Sequence, residues 1–462
     1  MNDHERTHFI GIGGAGMSAL AAVMRGRGAE VSGSDQKESD STRRLRTMGI
    51  RVEIGHVAGN IGDPELVVIS AAIPPDNPEI AAAKERGIPV IQRAEMLGRL
   101  MDSYGSRIAI AGTHGKTTTT SMVSLIALGA GLDPTILIGG DVKAIGGNAR
   151  LGEGDLFITE ACEAYSSFLY LHPSIAVVTN VDADHLEHHG TLENIKQVFV
   201  QFLSQVDEDG CVIACADDEN VRSILPFVTR RIVLYGVASD AEVRADEVDV
   251  DSPAASYSLV RNGKAMGRVQ LATPGLQNVL NSLAAAAVGL ELGTEFPAIR
   301  EALGKHRGAG RRFEILGEAR GVLVVDDYAH HPAEIAATLT AARRGFGRRI
   351  VAIFQPHLYS RTKFFLRDFA ESLKLADRQI VTDIYAARER PIAGVSAEQI
   401  VNAMNRNGNK VGEYIPDKAN IAEIVLPELR SGDMVIVMGA GDIRGVGEEI
   451  LSRLSGTAGG AG

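Results

Sequence analysis

The sequence is poor in cysteine, has no long apolar run and carries no excess of positive charge. Its three cysteines, Cys162, Cys211 and Cys215, are odd in number and form no CxxC pair. That excludes a disulfide framework and reads as small thiols in a reducing compartment. No stretch of about 18 apolar residues occurs, so a membrane-spanning helix is excluded. The opening MNDHERTHFIGIGG lacks a basic region followed by an apolar segment, so no signal peptide is expected and the expected location is the cytoplasm. The formal net charge is −11, which removes any bulk pull toward nucleic acid or anionic lipid. A phosphate-bearing ligand must therefore be held locally, by backbone amides, one or two lysines or a metal.

What is present is an ordinary globular composition, 45% hydrophobic and 23% charged, over 462 residues. At about 100–200 residues per domain this suggests two to four domains. Short β-branched runs alternate with alanine- and leucine-rich helical stretches, the pattern of βαβ units and parallel sheets. The first block opens with a strand at Thr7–Ile12, a glycine turn and a helix from about Met17 to Arg27. It continues through Leu66–Ser70 and Ile88–Ile91 and ends at the small-residue stretch Ser103–Ser106. The second restarts with Arg107–Ala111, a second glycine loop and a helix from Thr117 to about Ala130, stopped by Gly131. Strands follow at Leu156–Thr159 and Ile175–Thr179. The polar, alternating stretch Ala238–Val269, with Asn262-Gly263 as a hairpin turn, reads as an antiparallel addition at a sheet edge. The third block carries strands at Val322–Val325, Arg349–Phe354, Gln379–Thr382 and Met434–Met438. The expected architecture is three α/β domains in series, spanning residues 1–105, 106–311 and 312–455, with a disordered glycine-rich tail at 456–462. No solenoid-type repeat is visible.

Six segments carry chemistry. Gly11-Ile12-Gly13-Gly14-Ala15-Gly16 fits G-x-G-x-x-G between a strand and a helix, with Asp35 about 20 residues on. Its glycines let backbone approach a pyrophosphate, and a nicotinamide cofactor is the usual first reading. Gly112-Thr113-His114-Gly115-Lys116-Thr117 is a phosphate loop: amides wrap a phosphate, Lys116 reaches the outer phosphates and the Thr117 hydroxyl can ligate Mg²⁺. It departs from G-x-x-x-x-G-K-[ST], because Ile110 stands where the first glycine belongs. Glu160 and His185 follow strands and are candidate metal ligands that suit Mg²⁺ or Mn²⁺. A capping Glu and a satisfied loop His remain open on spacing alone. His188 and His189 read as a solvated turn. Asp326-Asp327-Tyr328-Ala329-His330-His331-Pro332 and Phe354–Thr362, with Arg361, follow neighbouring strands and offer acids, imidazoles and an arginine at one edge. Pro332 is placed to start a helix. Asn278 lies in Pro274–Asn281, which opens a helix and could match an adenine edge.

Taken together, HFIGIGGAGMSALA with SGSD after it, AGTHGKTTTT, VVTNVDADHLE, PGLQNVLN, RRFEILG, DDYAHHPAEI and the SRT stretch resemble the Mur ligase family over essentially the whole chain. The branch most similar is the one that adds L-alanine to UDP-N-acetylmuramate in peptidoglycan precursor synthesis. The resemblance implies a Rossmann-like UDP-sugar domain, a P-loop ATPase-like central domain with a mixed sheet, and a C-terminal Rossmann-like α/β domain receiving the amino acid. It moves the first glycine loop from nicotinamide to UDP: Gly11, Gly13, Gly14, Ala15, Gly16, Met17, Ser34, Asp35, Ser70 and Ala71. It places Gly112, Thr113, His114, Gly115, Lys116, Thr117, Thr118, Asn278, Arg312 and Asp327 on ATP. Thr117, Glu160 and His185 fall on magnesium, for which Mn²⁺ can substitute, and Tyr328, His330 and Arg361 on the amino-acid side. Lys116, Glu160, His185, His330 and Arg361 are the catalytic candidates. The implied partners are UDP-N-acetylmuramate, L-alanine and ATP, with no nucleic acid and no membrane span, the chain being a monomer or homodimer.

Three departures stand out. Gln277 replaces the family's usual His before the first Asn of the purine motif. Glu160-Ala161-Cys162-Glu163 replaces the more frequent E-A-D-E, leaving Glu163 without a role. Val200 stands where other branches carry a carbamylated lysine, so no modified lysine is expected. The rival readings are a paralogous ligase that recycles intact peptides, a nicotinamide-dependent oxidoreductase and a non-catalytic nucleotide-binding regulator.

Overall fold

The computed structural model describes residues 5–238, 240–387, 389–406 and 412–456. Of the expected tail at 456–462, all but Gly456 lies outside the described residues. The chain separates into two compact units. One comprises Met1–Asp246, Ser258–Val269 and Leu280–His306; the other comprises Glu247–Tyr257, Gln270–Val279 and Arg307–Gly462. Among the described residues the strands form three sheets in series.

The first sheet, in the first unit, joins β1 (Arg6–Ile10), β2 (Glu30–Asp35), β3 (Arg51–Ile54), β4 (Leu66–Ile69) and β5 (Val90–Gln92) in the order β3-β2-β1-β4-β5, all parallel. The order reverses beside β1, so ligands are expected at the carboxyl end of that strand, where the first glycine turn lies.

The second sheet has ten strands. They are β6 (Ser106–Ala111), β7 (Thr135–Val142), β8 (Gly147–Arg150), β9 (Leu156–Ala161), β10 (Ile175–Val178), β11 (Cys211–Cys215), β12 (Arg231–Gly236), β13 (Val243–Asp249), β14 (Ser256–Arg261) and β15 (Lys264–Gln270). Their order is β15-β14-β13-β12-β11-β10-β6-β9-β7-β8. Its centre is buried on both faces: every residue of β10 and β11 is buried, which is why these strands read as unbroken apolar runs. The expected antiparallel addition at the edge is β13, β14 and β15. β13 joins β12 in parallel, and the end of β14 lies beside the start of β13, where Asn262 N donates to Glu242 O at 2.8 Å. β14 and β15 are joined at Asn262-Gly263 with φ of 50° and 76°. Positive φ at both turn residues is what a two-residue type I′ turn requires. At the other edge, β7 and β8 form an antiparallel pair, so the sheet is mixed.

The third sheet lies in the second unit: β16 (Glu314–Ala319), β17 (Val322–Asp327), β18 (Arg349–Phe354), β19 (Arg378–Val381), β20 (Gly412–Tyr414) and β21 (Asp433–Met438), ordered β16-β17-β21-β18-β19-β20. Only the edge pair β16–β17 is antiparallel among the described ladders of this sheet. The side-chain period of two divides its core. Ile350, Ala352 and Phe354 pack on one face with Leu323 and Val325, while Val351 and Ile353 pack on the other with Val322 and Val324. Pro332 opens the helix Pro332–Phe346 as expected, with His331 as N-cap and Glu334 completing a capping box.

Candidate active site

The phosphate loop joins β6 to the helix Lys116–Gly129. Its conformation needs glycine at two places. Gly112 has φ +136°, and a Cβ there would lie 1.9 Å from Thr179 Oγ1; Gly115 has φ +82°, and a Cβ would lie 2.4 Å from Asn281 Oδ1. The segment after β10 braces the loop. Thr113 N donates to Asn180 O at 3.1 Å, His114 N to Asn180 Oδ1 at 2.8 Å, and Thr179 Oγ1 and Asn180 Nδ2 donate to His114 O at 2.6 and 3.0 Å. The Thr118 side chain is buried behind the loop. The result is a fixed ring of backbone with a tight concave centre, the cradle a phosphate requires.

Lys116 lies inside that ring. Its Nζ donates to Gly112 O at 2.5 Å, to Thr113 O at 3.0 Å and to Glu163 Oε2 at 2.8 Å. Burial works against the ammonium, but the Glu163 carboxylate more than offsets it and pushes the group up to about 12. Glu163 was unassigned from sequence, and no local pattern could have found it, because the partners are 47 residues apart.

Strand order assembles the remaining candidates. Because β6 lies between β9 and β10 and all three run parallel, the phosphate loop, Glu160 and the His185 segment leave the sheet at the same edge. Glu160 accepts from Gly139 N at 2.8 Å, and a Cβ on Gly139 would lie 2.9 Å from its Oε2. A Cβ on the adjacent Gly140 would lie 3.2 Å from Thr117 Cγ2. The pair Gly139-Gly140 thus lets Thr117 and Glu160 crowd one spot on β7, a close approach that sequence reading missed. His185 adopts φ +53°, a left-handed conformation uncommon outside glycine, with its N–H donating to Asp184 Oδ1 at 2.8 Å. A hydroxyl, a carboxylate and an imidazole are ligand types that suit Mg²⁺ better than a soft metal. The reading of His188 and His189 as a solvated turn holds only for the first. His189 is buried, its Nε2–H donates to Glu163 O at 3.1 Å, and burial lowers its pKa.

The first glycine loop is built differently. Gly11 and Ile12 N donate to Ser34 O at 2.8 and 2.9 Å, and Gly13 N donates to Asp35 Oδ2 at 2.8 Å. Gly14 is the N-cap of the helix Ala15–Gly26, with Gly16 and the buried Met17 in its first turn. Ser70 and the exposed Ala71 follow β4 beside Gly11. The Ser34 hydroxyl turns inward instead, to Glu79 Oε2 at 2.8 Å in a buried cluster with His8, so its side chain supports the strand while its carbonyl holds the loop.

In the second unit the carboxyl ends of β17 and β18 gather the other candidates. Asp327 is buried and accepts from Phe313 N at 2.9 Å, Ala329 N at 2.7 Å and Thr338 Oγ1 at 3.2 Å; burial pushes its carboxyl up to about 6. The Tyr328 ring carries the guanidinium groups of Arg311 and Arg312 at 5.0 and 5.1 Å. His330 Nδ1 is 2.9 Å from Tyr328 O, a carbonyl that can only accept; this places a proton on Nδ1. The His330 and His357 rings are 5.8 Å apart, and Arg361, 6% exposed, reaches His357 Nδ1 at 3.4 Å. Asn278 donates its side-chain amide to Pro274 O at 2.7 Å. Three residues on, Asn281 is buried in the first unit, where Thr119 Oγ1 donates to its Oδ1 at 3.3 Å. Sequence reading had passed over it in favour of Asn278.

Three α/β sheets in series, one carrying a glycine loop that encloses Lys116 at the start of a helix, are the frame of a nucleotide-dependent ligase. Comparison with known proteins makes this specific. Residues 6–104 match the Mur ligase family catalytic domain, 110–289 the Mur ligase middle domain and 311–441 the Mur ligase glutamate ligase domain. The UDP-N-acetylmuramate–L-alanine ligase of Trichlorobacter lovleyi is 48% identical over 97% of this chain and 99% of its own length. That of Pelobacter propionicus is 49% identical over 98% and 99%. Among solved structures, the UDP-N-acetylmuramate-alanine ligase of Thermotoga maritima superposes with a TM-score of 0.83 at 30% identity, covering 98% of this chain and all of that one. A murein peptide ligase of Psychrobacter arcticus reaches 0.71 at 25% identity, with 98% of this chain and all of that one covered. This chain belongs to the Mur ligase family.

Proposed function

We propose that this enzyme ligates L-alanine to the carboxylate of UDP-N-acetylmuramate, converting ATP to ADP and phosphate, as a step of peptidoglycan precursor synthesis. The observation that carries this is near-full-length identity of 46–49% to relatives that bear the name of that ligase. The peptide-recycling reading has weaker support, since the structure of a murein peptide ligase is less similar in both fold and sequence. A nicotinamide reading leaves the phosphate loop without a task. We also assign the enzyme to the cytoplasm, as a monomer or homodimer, with domain borders at 105/106 and 311/312.

The chemistry follows from a poor leaving group. A carboxylate does not acylate an amine at neutral pH, so its oxygen first attacks the γ-phosphorus of ATP, giving an acyl phosphate and ADP. The alanine amine then attacks the acyl carbon and phosphate departs. Lys116, with the amides at the start of its helix, Gly115–Thr117, offsets charge on the β- and γ-phosphates. Thr117, Glu160 and His185 would hold Mg²⁺, or Mn²⁺ in its place, and the ion supplies charge neutralisation at the transferred phosphoryl group. Asp35 and the loop Gly11–Met17 hold the UDP moiety, the loop through the first-turn amides of the helix that starts at Ala15, with Ser70 and Ala71 on the sugar-nucleotide side. Asn278 and Arg312 serve ATP, and Asp327 acts on it by fixing the backbone of Phe313 and Ala329. Arg361 and Tyr328 receive the amino acid, and the lone pair on His330 Nε2 takes the proton from its ammonium group.

The test is phosphate release from ATP and Mg²⁺ with UDP-N-acetylmuramate and L-alanine, each omitted in turn. Release that needs both, with a product heavier by one alanine residue, is expected. Release with the UDP-sugar and a peptide in place of L-alanine would move the enzyme to the recycling branch. Release under no combination would remove the catalytic reading.

A further inference from the structure

Glu163 is a buried acid to which the reaction just described gives no part. It is 3% exposed, and both its oxygens lie on Lys116 Nζ, at 2.8 and 3.1 Å. An ammonium group has three donors. Here Gly112 O, Thr113 O and Glu163 account for them, so an incoming phosphate can reach Lys116 only by displacing a partner. The two carbonyls are uncharged parts of the loop itself. Glu163 carries the same sign of charge as the phosphates, and two anions sharing one buried cation is the arrangement that a low-dielectric site disfavours.

The backbone around Glu163 is held with unusual firmness. Its carbonyl accepts from His189 Nε2 at 3.1 Å and from Ser166 N at 2.9 Å. Tyr165 and Ser166 follow with φ of +53° and +55°, consecutive left-handed residues with side chains, a costly conformation that persists only where surroundings enforce it. The Tyr165 ring packs on His188 with centroids 5.1 Å apart. The acid is thus anchored from the segment that follows His185, and it is aimed at the phosphate-loop lysine.

We infer that Glu163 is a positioning residue and the resident counter-ion that the nucleotide displaces. It keeps Lys116 folded against the loop before ATP arrives, and its charge then opposes the phosphates that replace it. The inference rests on the assignment of Lys116 to the phosphates of ATP. Removing the charge while keeping the shape should therefore strengthen nucleotide binding, whereas loss of a purely structural contact would weaken it.

The experiment is calorimetric binding of ADP with Mg²⁺ to the full-length enzyme and its variants, each checked for folding by thermal melting. Glu163→Gln is expected to bind about tenfold more tightly than the wild type, and Glu163→Ala, a second neutral variant, in the same direction. Glu163→Asp, which keeps the charge, should stay within about twofold of the wild type. Unchanged or weaker binding in the folded neutral variants overturns the inference. Lys116→Ala separates the two levels. If it abolishes binding while Glu163→Gln changes nothing, only the counter-ion role falls. If it binds normally, the phosphate-loop assignment fails and the counter-ion role fails with it.

Discussion

The first unit contains two loops made by the same plan, a buried parallel strand, a glycine turn and a helix, and they are held in opposite ways. After β1 the loop hangs from one neighbouring strand: Ser34 O takes two of its amides and Asp35 takes a third. No lysine follows it, and the N-cap of its helix is Gly14, which has no side chain to bond with. After β6 the loop is gripped on several sides, by Thr179, Asn180 and Asn281, and encloses a lysine already paired with a carboxylate. In the reaction proposed above, the first arrangement faces an anion that stays chemically intact. The second would fix a cation where phosphoryl charge builds up, and rigid placement is what makes such a charge effective in a transition state.

That contrast is broken most severely at Lys116. Lys116→Ala should lower turnover by about 10²-fold or more, because the lost charge acts on the transferred group. Steady-state phosphate release measures it, and near-normal ligation would end the distinction between the loops. Next in size is His185→Ala, expected to raise the Mg²⁺ concentration for half-maximal activity by about tenfold or more. A metal titration of initial rates decides this; an unshifted curve would leave His185 as a strained loop residue and nothing further.

The same substitution made in both loops sharpens the contrast. Gly112→Ala forces a Cβ to within 1.9 Å of Thr179 Oγ1 at φ +136°, so the braced loop must open. A loss of about 2–4 kcal/mol of stability, read by thermal melting, is expected with it. Gly13→Ala meets chiefly the Asp35 carboxylate at 2.9 Å and the Thr42 methyl, both side-chain atoms. Here the fold should tolerate the change, while the lost Gly13–Asp35 hydrogen bond raises KM for the UDP-sugar by about tenfold with kcat little altered. Equal effects on melting in the two variants would show that both loops are held alike.

How much of this was legible before any coordinates follows from what each feature depends on. Strand–glycine–helix turns depend on local pattern, so both loops and the helix after Pro332 were readable, and the predicted strand Arg349–Phe354 matches residue for residue. β7 and β16 were missed because glycines interrupt their apolar pattern, as in TILIGGDV and EILGEA. Glu163 and Asn281 lie inside motifs that were read, but their partners, Lys116 and Thr119, are distant in the chain, and Gly139-Gly140 has no motif of its own, so these contacts do not show in the local pattern. His189 misled because a polar HH pair after a loop looks solvated, whereas one ring of the two is buried against Glu163 O. Sequence pattern reaches the glycine loops; of the residues that hold them it reaches Asp35, close in the chain, and not the contact of Asn281 with Gly115.

A third strand-end acid extends the contrast into the second unit. Asp35 accepts one loop amide while half-buried; Asp327 accepts two, from Phe313 and Ala329, while buried. Burial, opposed by Arg312 and by those two N–H groups, pushes Asp327 from 3.8 up to about 6. The folded protein therefore binds this proton more tightly than the unfolded chain does. The associated stability is fully present below about pH 4 and is lost as pH rises through about 6, amounting at most to about 3 kcal/mol at 1.36 kcal/mol per unit. Asp327→Asn, neutral at every pH, should remove that slope. Its melting temperature relative to the wild type is expected to be lower at pH 4 than at pH 7, since only the wild type gains from the bound proton. A pH-independent difference between the two would mean that burial does not disfavour the Asp327 carboxylate, and that it holds its loop by hydrogen bonds alone.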